Sequence, residues 1–292
     1  MIYLESFRLA SERDETDYFF DCKKLDMTCH NVNNPYPFKI FPFKNLLRLD
    51  FAPITLLYGG NGSGKSTILN IIAQKLKLTR TSPYSRTPFF EDYLKFCRAE
   101  LYHDKEPPEE SCIITSDDVF DFMLNFRTLN EGVDRKREEL FEEWYALRQG
   151  SFQIRSLEDV EELQHRRDAW NSTRSDFTAR RIPKNLPGQS NGENAYGYFA
   201  EKIRGNALYL LDEPENSLSA ERQIELARFI EDSARFYGCQ FIISTHSPFL
   251  LAMKGARIYD LDTLPVETKK WTELSNVRLY HDFFEEHRKE FD

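Results

Sequence analysis

The string Gly59-Gly60-Asn61-Gly62-Ser63-Gly64-Lys65-Ser66-Thr67 constrains this chain more than any other feature. It satisfies the pattern GxxxxGK[ST], and its flanks are the ones that pattern needs. The apolar run at 54–58 reads as a buried strand, and Ile68, Leu69, Ile72 and Leu76 recur at helical spacing. A glycine-rich turn between strand and helix lets successive backbone N–H groups converge on phosphate oxygens, and the helix N-terminus adds a favourable dipole. In such a turn Lys65 reaches the β- and γ-phosphates of a nucleotide, and the Ser66 hydroxyl ligates Mg²⁺. All nine residues of the string are therefore candidate nucleotide-binding positions, with ATP and Mg²⁺ the expected ligands.

A second stretch carries matching chemistry. The apolar run at 208–211 ends in Asp212-Glu213-Pro214, which places two carboxylates at the carboxyl end of a buried strand, the edge where open α/β sheets bind ligands. Asp212 is the expected Mg²⁺ ligand, directly or through water. Glu213, not needed for the metal, is placed to polarise an attacking water. His246 follows the apolar "FIIST" and points to the same edge, where an imidazole can hydrogen-bond a γ-phosphate. Lys65, Glu213 and His246 are the catalytic candidates.

Composition narrows the class. The 292 residues carry 39 Lys and Arg against 48 Asp and Glu, a net charge of −9, which argues against a general phosphate-backbone binder but leaves room for a local basic face. No apolar run reaches the roughly 18 residues that span a bilayer, and the N-terminus lacks a signal-peptide core, so a cytoplasmic protein with no membrane insertion is expected. The five cysteines include no CxxC pair, which fits a reduced compartment better than a disulfide scaffold. Cys22, Cys29 and His30 match no zinc spacing and lack a fourth ligand.

Along the chain, residues 1–52 read as edge strands and loops, because Pro35, Pro37 and Pro42 forbid a long helix there. Residues 79–184 are the least regular part, with a strand running into a helix near 112–124 and charged helical stretches near 133–149 and 156–181. Ser156 with Asp159 reads as a capping box. No heptads are sustained and no internal repeat is present. Residues 185–292 alternate buried-type strands with helices, and the last residues read as a surface helix. The expectation is an α/β nucleotide-binding domain formed by 1–78 and 185–292, with a mostly parallel sheet, N-terminal antiparallel strands, and a helical, irregular insertion at 79–184.

The strings "GGNGSGKST", "LYLLDEPENSLS" and "IISTHSPFLL" together resemble soluble ABC-type P-loop ATPases, the branch that includes RecF, the SMC-like ATPases and compact ATPases associated with bacterial defence and repair. The resemblance covers roughly residues 35–75 and 186–262. It implies ATP hydrolysis, and a homodimer that closes head-to-tail around two nucleotides. It also implies a signature loop that meets the nucleotide of the other copy. Gln189-Ser190-Asn191-Gly192-Glu193 stands in that place, with Ser190 and Gly192 aligned to the family's γ-phosphate contacts. Asn191 replaces the usual first glycine, and Glu193 the Gln usual in transporters. The family's glutamine loop has no Gln between Gln74 and Gln149, with Asp117 or Asp118 as stand-ins, and Ser219 stands where transporter members carry Asp. Tyr36, Phe38, Phe41 and Phe43 lie where the family stacks adenine, although core packing suits them as well.

Three functions follow from the resemblance. The acidic balance favours an ATPase that gates or regulates a separate partner, such as a nuclease or toxin effector in bacterial defence. The alternative is a DNA-maintenance ATPase, whose contact would be the arginine-rich stretch 164–184 with Trp170 and Phe177. A transporter subunit fits least, given the missing glutamine loop and the atypical signature.

Overall fold

The computed structural model describes residues 1–24, 35–149, 159–182 and 191–291. The chain divides into two compact units, one formed by Met1–Phe120 with Asn191–Asp292 and one by Asp121–Ser190.

The first unit opens with strand β1 (Leu4–Arg8) and helix α1 (Glu12–Lys24), followed by β2 (Arg48–Asp50) and β3 (Ile54–Tyr58). Helix α2 (Lys65–Lys75) comes directly after the glycine-rich turn, and α3 (Phe90–Phe96), β4 (Arg98–Leu101) and β5 (Cys112–Thr115) complete the N-terminal part. The long helix α4 (Ser116–Arg148) leaves this unit for the second, which also holds α5 (Asp159–Asn171) and α6 (Arg174–Ala179). The chain returns with α7 (Asn191–Lys202), β6 (Leu208–Asp212), α8 (Ala220–Phe236), β7 (Gln240–Ser244) and α9 (Pro248–Leu251). It ends with β8 (Arg257–Asp260), β9 (Glu267–Thr268) and α10 (Ser275–Glu286).

The strands form a six-stranded sheet in the order β5-β6-β7-β3-β8-β9, parallel except for β9, and a three-stranded antiparallel sheet in the order β2-β1-β4. Every residue of β3 and β7 is buried, which is why these strands read as unbroken apolar runs: a parallel strand covered on both faces has no solvent side to alternate with. Gln240 is a fully buried polar residue at the start of β7. Its side chain accepts from Tyr3 N (2.7 Å) and Leu4 N (2.9 Å) and donates to Leu4 O (2.8 Å) and Ala52 O (3.3 Å), tying the two sheets together. Helix ends follow local chemistry. Ser219 caps α8 by accepting from Arg222 N, and Gly238 turns the chain just beyond its end at φ 65°.

Two expectations change. Residues 12–24 form a helix rather than loops, started by a Ser11–Asp14 capping box in which Ser11 Oγ accepts from Asp14 N (3.2 Å) and Asp14 Oδ2 accepts from Ser11 N (2.9 Å). The described residues of the helix, Glu12–Lys24, precede Pro35, Pro37 and Pro42 in the chain. It then packs into an aromatic cluster, with the Tyr18 ring stacked 4.8 Å from that of Phe38 and Phe38 edge-on to Tyr93 at 5.0 Å. Residues 79–120 also belong to the α/β unit rather than to the insertion, because β5 pairs in parallel with β6 and β4 pairs with β1.

The second unit has its own small core of Leu140, Ala169 and Phe177, with Trp144, Leu147 and Ile182 packed against it. The helical stretch after residue 159 is broken at Ser172 and Thr173, where Thr173 caps α6 by accepting from Asp176 N. Ser156 lies outside the described residues, as do Cys29 and His30, and the Cys22 side chain is not described.

Candidate functional site

The turn at 59–64 is built for close approach of backbone. Gly62 and Gly64 have φ of 79° and 99°, values an L side chain rarely adopts. A Cβ at Gly64 would also sit 3.3 Å from the buried Phe41 ring. Lys65 opens α2, and the first helical bond runs from Ile68 N to Gly64 O at 3.0 Å. Ser63 Oγ is buried there with no protein partner, an orphaned hydroxyl inside the turn. Tyr36 Oη donates to Thr67 Oγ1 at 3.2 Å, and Asn61 is exposed at the tip.

Sheet order places the second group beside the turn. Asp212 pairs with Ser244 across β6 and β7, and Ser244 with Leu57 across β7 and β3, so three strands end at one edge. Asp212 Oδ1 accepts from Ser66 Oγ at 3.0 Å and from Ser244 Oγ. Burial pushes the Asp212 carboxyl up from its ordinary range, against those two hydrogen bonds, which favour the charged form. Glu213 follows in the left-handed region at φ 49° and ψ 55°, strained for a residue with a side chain. Its N–H is held by Ser244 O (3.1 Å) and Ser244 Oγ (3.0 Å), which fixes the bend.

The two groups meet at Lys65. Its Nζ contacts Gly59 O at 2.8 Å, Gly60 O at 3.3 Å and His246 Nε2 at 2.7 Å, and lies 3.6 Å from Glu213 Oε1. His246 Nε2 is 3.4 Å from the same Glu213 oxygen, and Asn216 Nδ2 donates to the other at 3.1 Å. The three catalytic candidates therefore come together, with Ser66 and Asp212 on the adjoining side.

Neighbours that sequence reasoning missed hold these groups. Asp262 Oδ2 accepts from Gly60 N at 2.7 Å and braces the rising limb of the turn from 202 residues away, a separation that hides it from any motif. Glu215 binds the loop that carries His246, and Asn276 Nδ2 donates to His246 O at 3.2 Å. The one sequence signal for Glu215 is a further carboxylate just past Asp212 and Glu213.

Other candidates separate by environment. Phe38 and Phe41 are core residues, 2% and 0% exposed, whereas Phe43 is 79% exposed, in the turn whose Lys44 Nζ donates to Leu261 O at 2.6 Å. Asp118 is spent on structure: Oδ1 accepts from Ser82 N and Oγ, and Oδ2 from Thr115 N and Oγ1, while Asp117 is exposed. Gln189 and Ser190 lie outside the described residues. Asn191 and Gly192 begin α7, and Glu193 pairs with Arg222 at 3.1 Å. Several arginines of the 164–184 stretch serve their own unit. Arg181 and Arg180 pair with Asp168 at 2.6 and 3.5 Å, Arg174 stacks on Phe141, and Arg166 donates to Leu147 O at 3.2 Å. Among the described residues, no group of three or more His, Cys, Asp or Glu could hold a metal ion, and no helix is long and apolar enough to cross a membrane.

Two family models match the chain. Residues 38–98 match an "AAA domain", and residues 185–252 match a family described as "AAA domain, putative AbiEii toxin, Type IV TA system". No curated protein matches. Among solved structures, the chain is similar to an Smc head domain with an extended coiled coil bound to the C-terminal domain of ScpA, from Pyrococcus furiosus. The two share 14% identity over 99% of this chain and 100% of that one, with a TM-score of 0.44. It is also similar to the SMC head domain of Thermotoga maritima, at 14% identity over 76% and 92% of the two chains and a TM-score of 0.36. A dimeric ATP-binding cassette bound to ADP and phosphate after hydrolysis is similar at 16% identity over 77% and 88%, again with a TM-score of 0.36. One AAA-domain model therefore covers the glycine-rich turn and Lys65, and the other covers Asp212, Glu213 and His246, so the two matches fall on the two segments that meet at Lys65.

Proposed function

We propose that the chain binds ATP with Mg²⁺ at residues 59–67, hydrolyses it slowly, and uses the bound and released states to gate a partner protein. The observation that carries this reading is the convergence of Lys65 Nζ, His246 Nε2 and Glu213 Oε1 from three separate segments at the start of one helix. Phosphoryl-transfer sites work by positioning and by neutralising charge, which is what such a cluster offers. Lys65 takes the β- and γ-phosphates. The backbone N–H groups of the glycine-rich turn, with the orphaned Ser63 hydroxyl, line the phosphates. Glu213 orients and deprotonates the attacking water, and His246 hydrogen-bonds the γ-phosphate.

The oxygen donors of Ser66 and Asp212, already 3.0 Å apart, fit Mg²⁺, which takes one or two protein oxygens and fills the rest of its shell with water and phosphate. When bound, the ion neutralises charge between the β- and γ-phosphates. Phe43, the exposed aromatic of its segment, is the candidate for stacking adenine. Ser190 and Gly192 close on the nucleotide of a second, head-to-tail copy.

A protein partner is favoured over nucleic acid, because several arginines of the helical unit are engaged internally and one family model carries a toxin–antitoxin description. The reading therefore keeps an effector chain as the partner. Steady-state phosphate release by the full chain tests it. Turnover should require Mg²⁺, vanish in Lys65→Ala, and change on adding the product of a neighbouring gene. No Mg²⁺-dependent release by the wild-type chain sinks the ATPase assignment, and unchanged turnover with each candidate partner sinks the gating.

A further inference from the structure

Glu215 has no part in the roles above, yet a single oxygen of its side chain takes more donors than any other acceptor around Lys65. Oε1 accepts from Thr245 Oγ1 at 2.8 Å, from His246 N at 2.6 Å and from Ser247 N at 3.2 Å. Three consecutive residues of the loop after β7 are thus gathered on one carboxylate oxygen. Glu215 itself sits in the short 3₁₀ turn Pro214–Ser217, which starts directly after the strained Glu213. The clamp therefore joins the segment that carries Glu213 to the segment that carries His246, the two side chains that face Lys65.

A second residue extends it. Ser247 Oγ donates to Gln223 Oε1 at 2.7 Å, and Gln223 Nε2 donates to Leu218 O at 2.9 Å, which anchors the same loop to α8 and to the end of the carboxylate turn. Meanwhile Glu215 Oε2 is buried without a hydrogen-bond partner. A buried carboxylate with one dry oxygen is costly, so its presence is offset by what the other oxygen holds. An apolar residue would fill the same space without that cost, but it would leave the His246 N–H and the Thr245 hydroxyl without this acceptor, and Ser247 N with only Thr245 Oγ1 at 3.0 Å.

We infer that Glu215 is a positioning residue for ATP hydrolysis, a carboxylate clamp that sets the His246 imidazole against Lys65 and Glu213. The inference rests on the hydrolytic reading above. Its chemistry is local: loss of Oε1 removes its three bonds to Thr245, His246 and Ser247, and with them the restraint that fixes the imidazole's distance from Lys65. A misplacement of about 1 Å in such a site costs on the order of 10²-fold in rate. Nucleotide affinity, which depends on the phosphate loop rather than on this clamp, is spared.

The test uses the full chain and compares Glu215→Ala, Glu215→Gln and wild type, reading kcat and equilibrium ATP affinity separately. Gln keeps an acceptor where Oε1 stands, so it is the conservative control. The expected result is a kcat loss of roughly 10- to 100-fold in Glu215→Ala, an ATP Kd within about threefold of wild type, and recovery of most of the rate in Glu215→Gln. A kcat within about threefold of wild type in the Ala variant overturns the inference. So does a loss in which affinity and rate fall together with the unfolding midpoint, since that is what a merely structural role predicts. A second measurement separates this from failure of the ATPase reading. Long-range ¹H–¹⁵N spectra of the His246 ring should show one tautomer in wild type and Glu215→Gln, and an altered or broadened signal in Glu215→Ala. If wild type hydrolyses nothing, the ATPase reading falls, and unchanged ring signals in Glu215→Ala then overturn the clamp as well.

Discussion

Lys65 Nζ lies 2.7 Å from His246 Nε2, although 181 residues separate the two in the chain. Lys65 is 4% exposed, and its ammonium directs its remaining donors to the carbonyls of Gly59 and Gly60. Glu213 Oε1 stands 3.6 Å from the lysine and 3.4 Å from the imidazole. Groups in one network do not contribute independently, so variants at these three positions are expected to be non-additive.

Lys65→Ala removes the one side-chain cation of the phosphate loop. Truncating a buried, hydrogen-bonded charge costs about 2–5 kcal/mol, so ATP affinity should fall by roughly 30-fold or more, measured by calorimetry. Unchanged affinity rules out the site.

Glu213→Gln keeps the shape and removes the charge. Hydrolysis should fall by roughly 10²–10⁴-fold while ATP binding is retained or tightened, because a carboxylate beside the γ-phosphate repels it in the ground state. A near wild-type rate in single-turnover measurements would transfer the base role to His246.

Ser190 is proposed to cap the nucleotide of a second copy. A non-hydrolysable ATP analogue should shift the chain toward a dimer in light scattering, and Ser190→Arg should block the shift. The same mass with and without the analogue, for a monomeric wild-type chain at saturation, refutes closure.

Glu15 supplies a pH dependence of stability. Burial, with the nearby Asp14 and Glu12, pushes its carboxyl up to about 7, against the Lys39 N–H that bonds it at 2.8 Å and the Lys39 charge. The folded pKa exceeds the unfolded one, so the folded chain holds this proton more tightly between about 4.5 and 7. Stability from this group is present below about 4.5 and is lost as pH rises through about 7. Glu15→Gln should therefore gain stability over wild type across that window and hold the gain above it. Denaturant midpoints at pH 5 and pH 8 that differ from wild type by the same amount contradict this.

Gln240→Leu removes one of the side-chain ties between the two sheets. It leaves Tyr3 N, Leu4 N, Leu4 O and Ala52 O without their partner, and a single orphaned buried group already costs about 1–3 kcal/mol. The expected loss is about 3 kcal/mol in urea unfolding, and a change below about 1 kcal/mol argues that the sheets hold without it.

Much of the site is legible in the sequence because its parts are local. The glycine turn, the strand ending in Asp212 and Glu213, and the Ser219 and Gly238 ends of α8 each follow from a few neighbouring residues. Helix α1 has a local signal in Ser11 and Asp14, but the prolines at 35, 37 and 42 argue in sequence against a long helix anywhere in that stretch. The four residues of β5 are too few to reveal their place without β6 beside them. Phe38, Phe41 and Phe43 are alike in sequence, yet the first two are buried and the third is exposed, since only packing decides which rings the core takes in.

The glycine-rich turn and the carboxylates at the strand end can be read directly from the chain, because turn geometry, strand burial and helix caps act within a few residues. The tertiary structure decided the rest: that Lys65 meets His246, that Asp262 braces Gly60, and that Glu215 gathers the 245–247 loop. Those contacts depend on sheet order, and sheet order is set by burying apolar strands against one another across long stretches of chain, which no local pattern encodes.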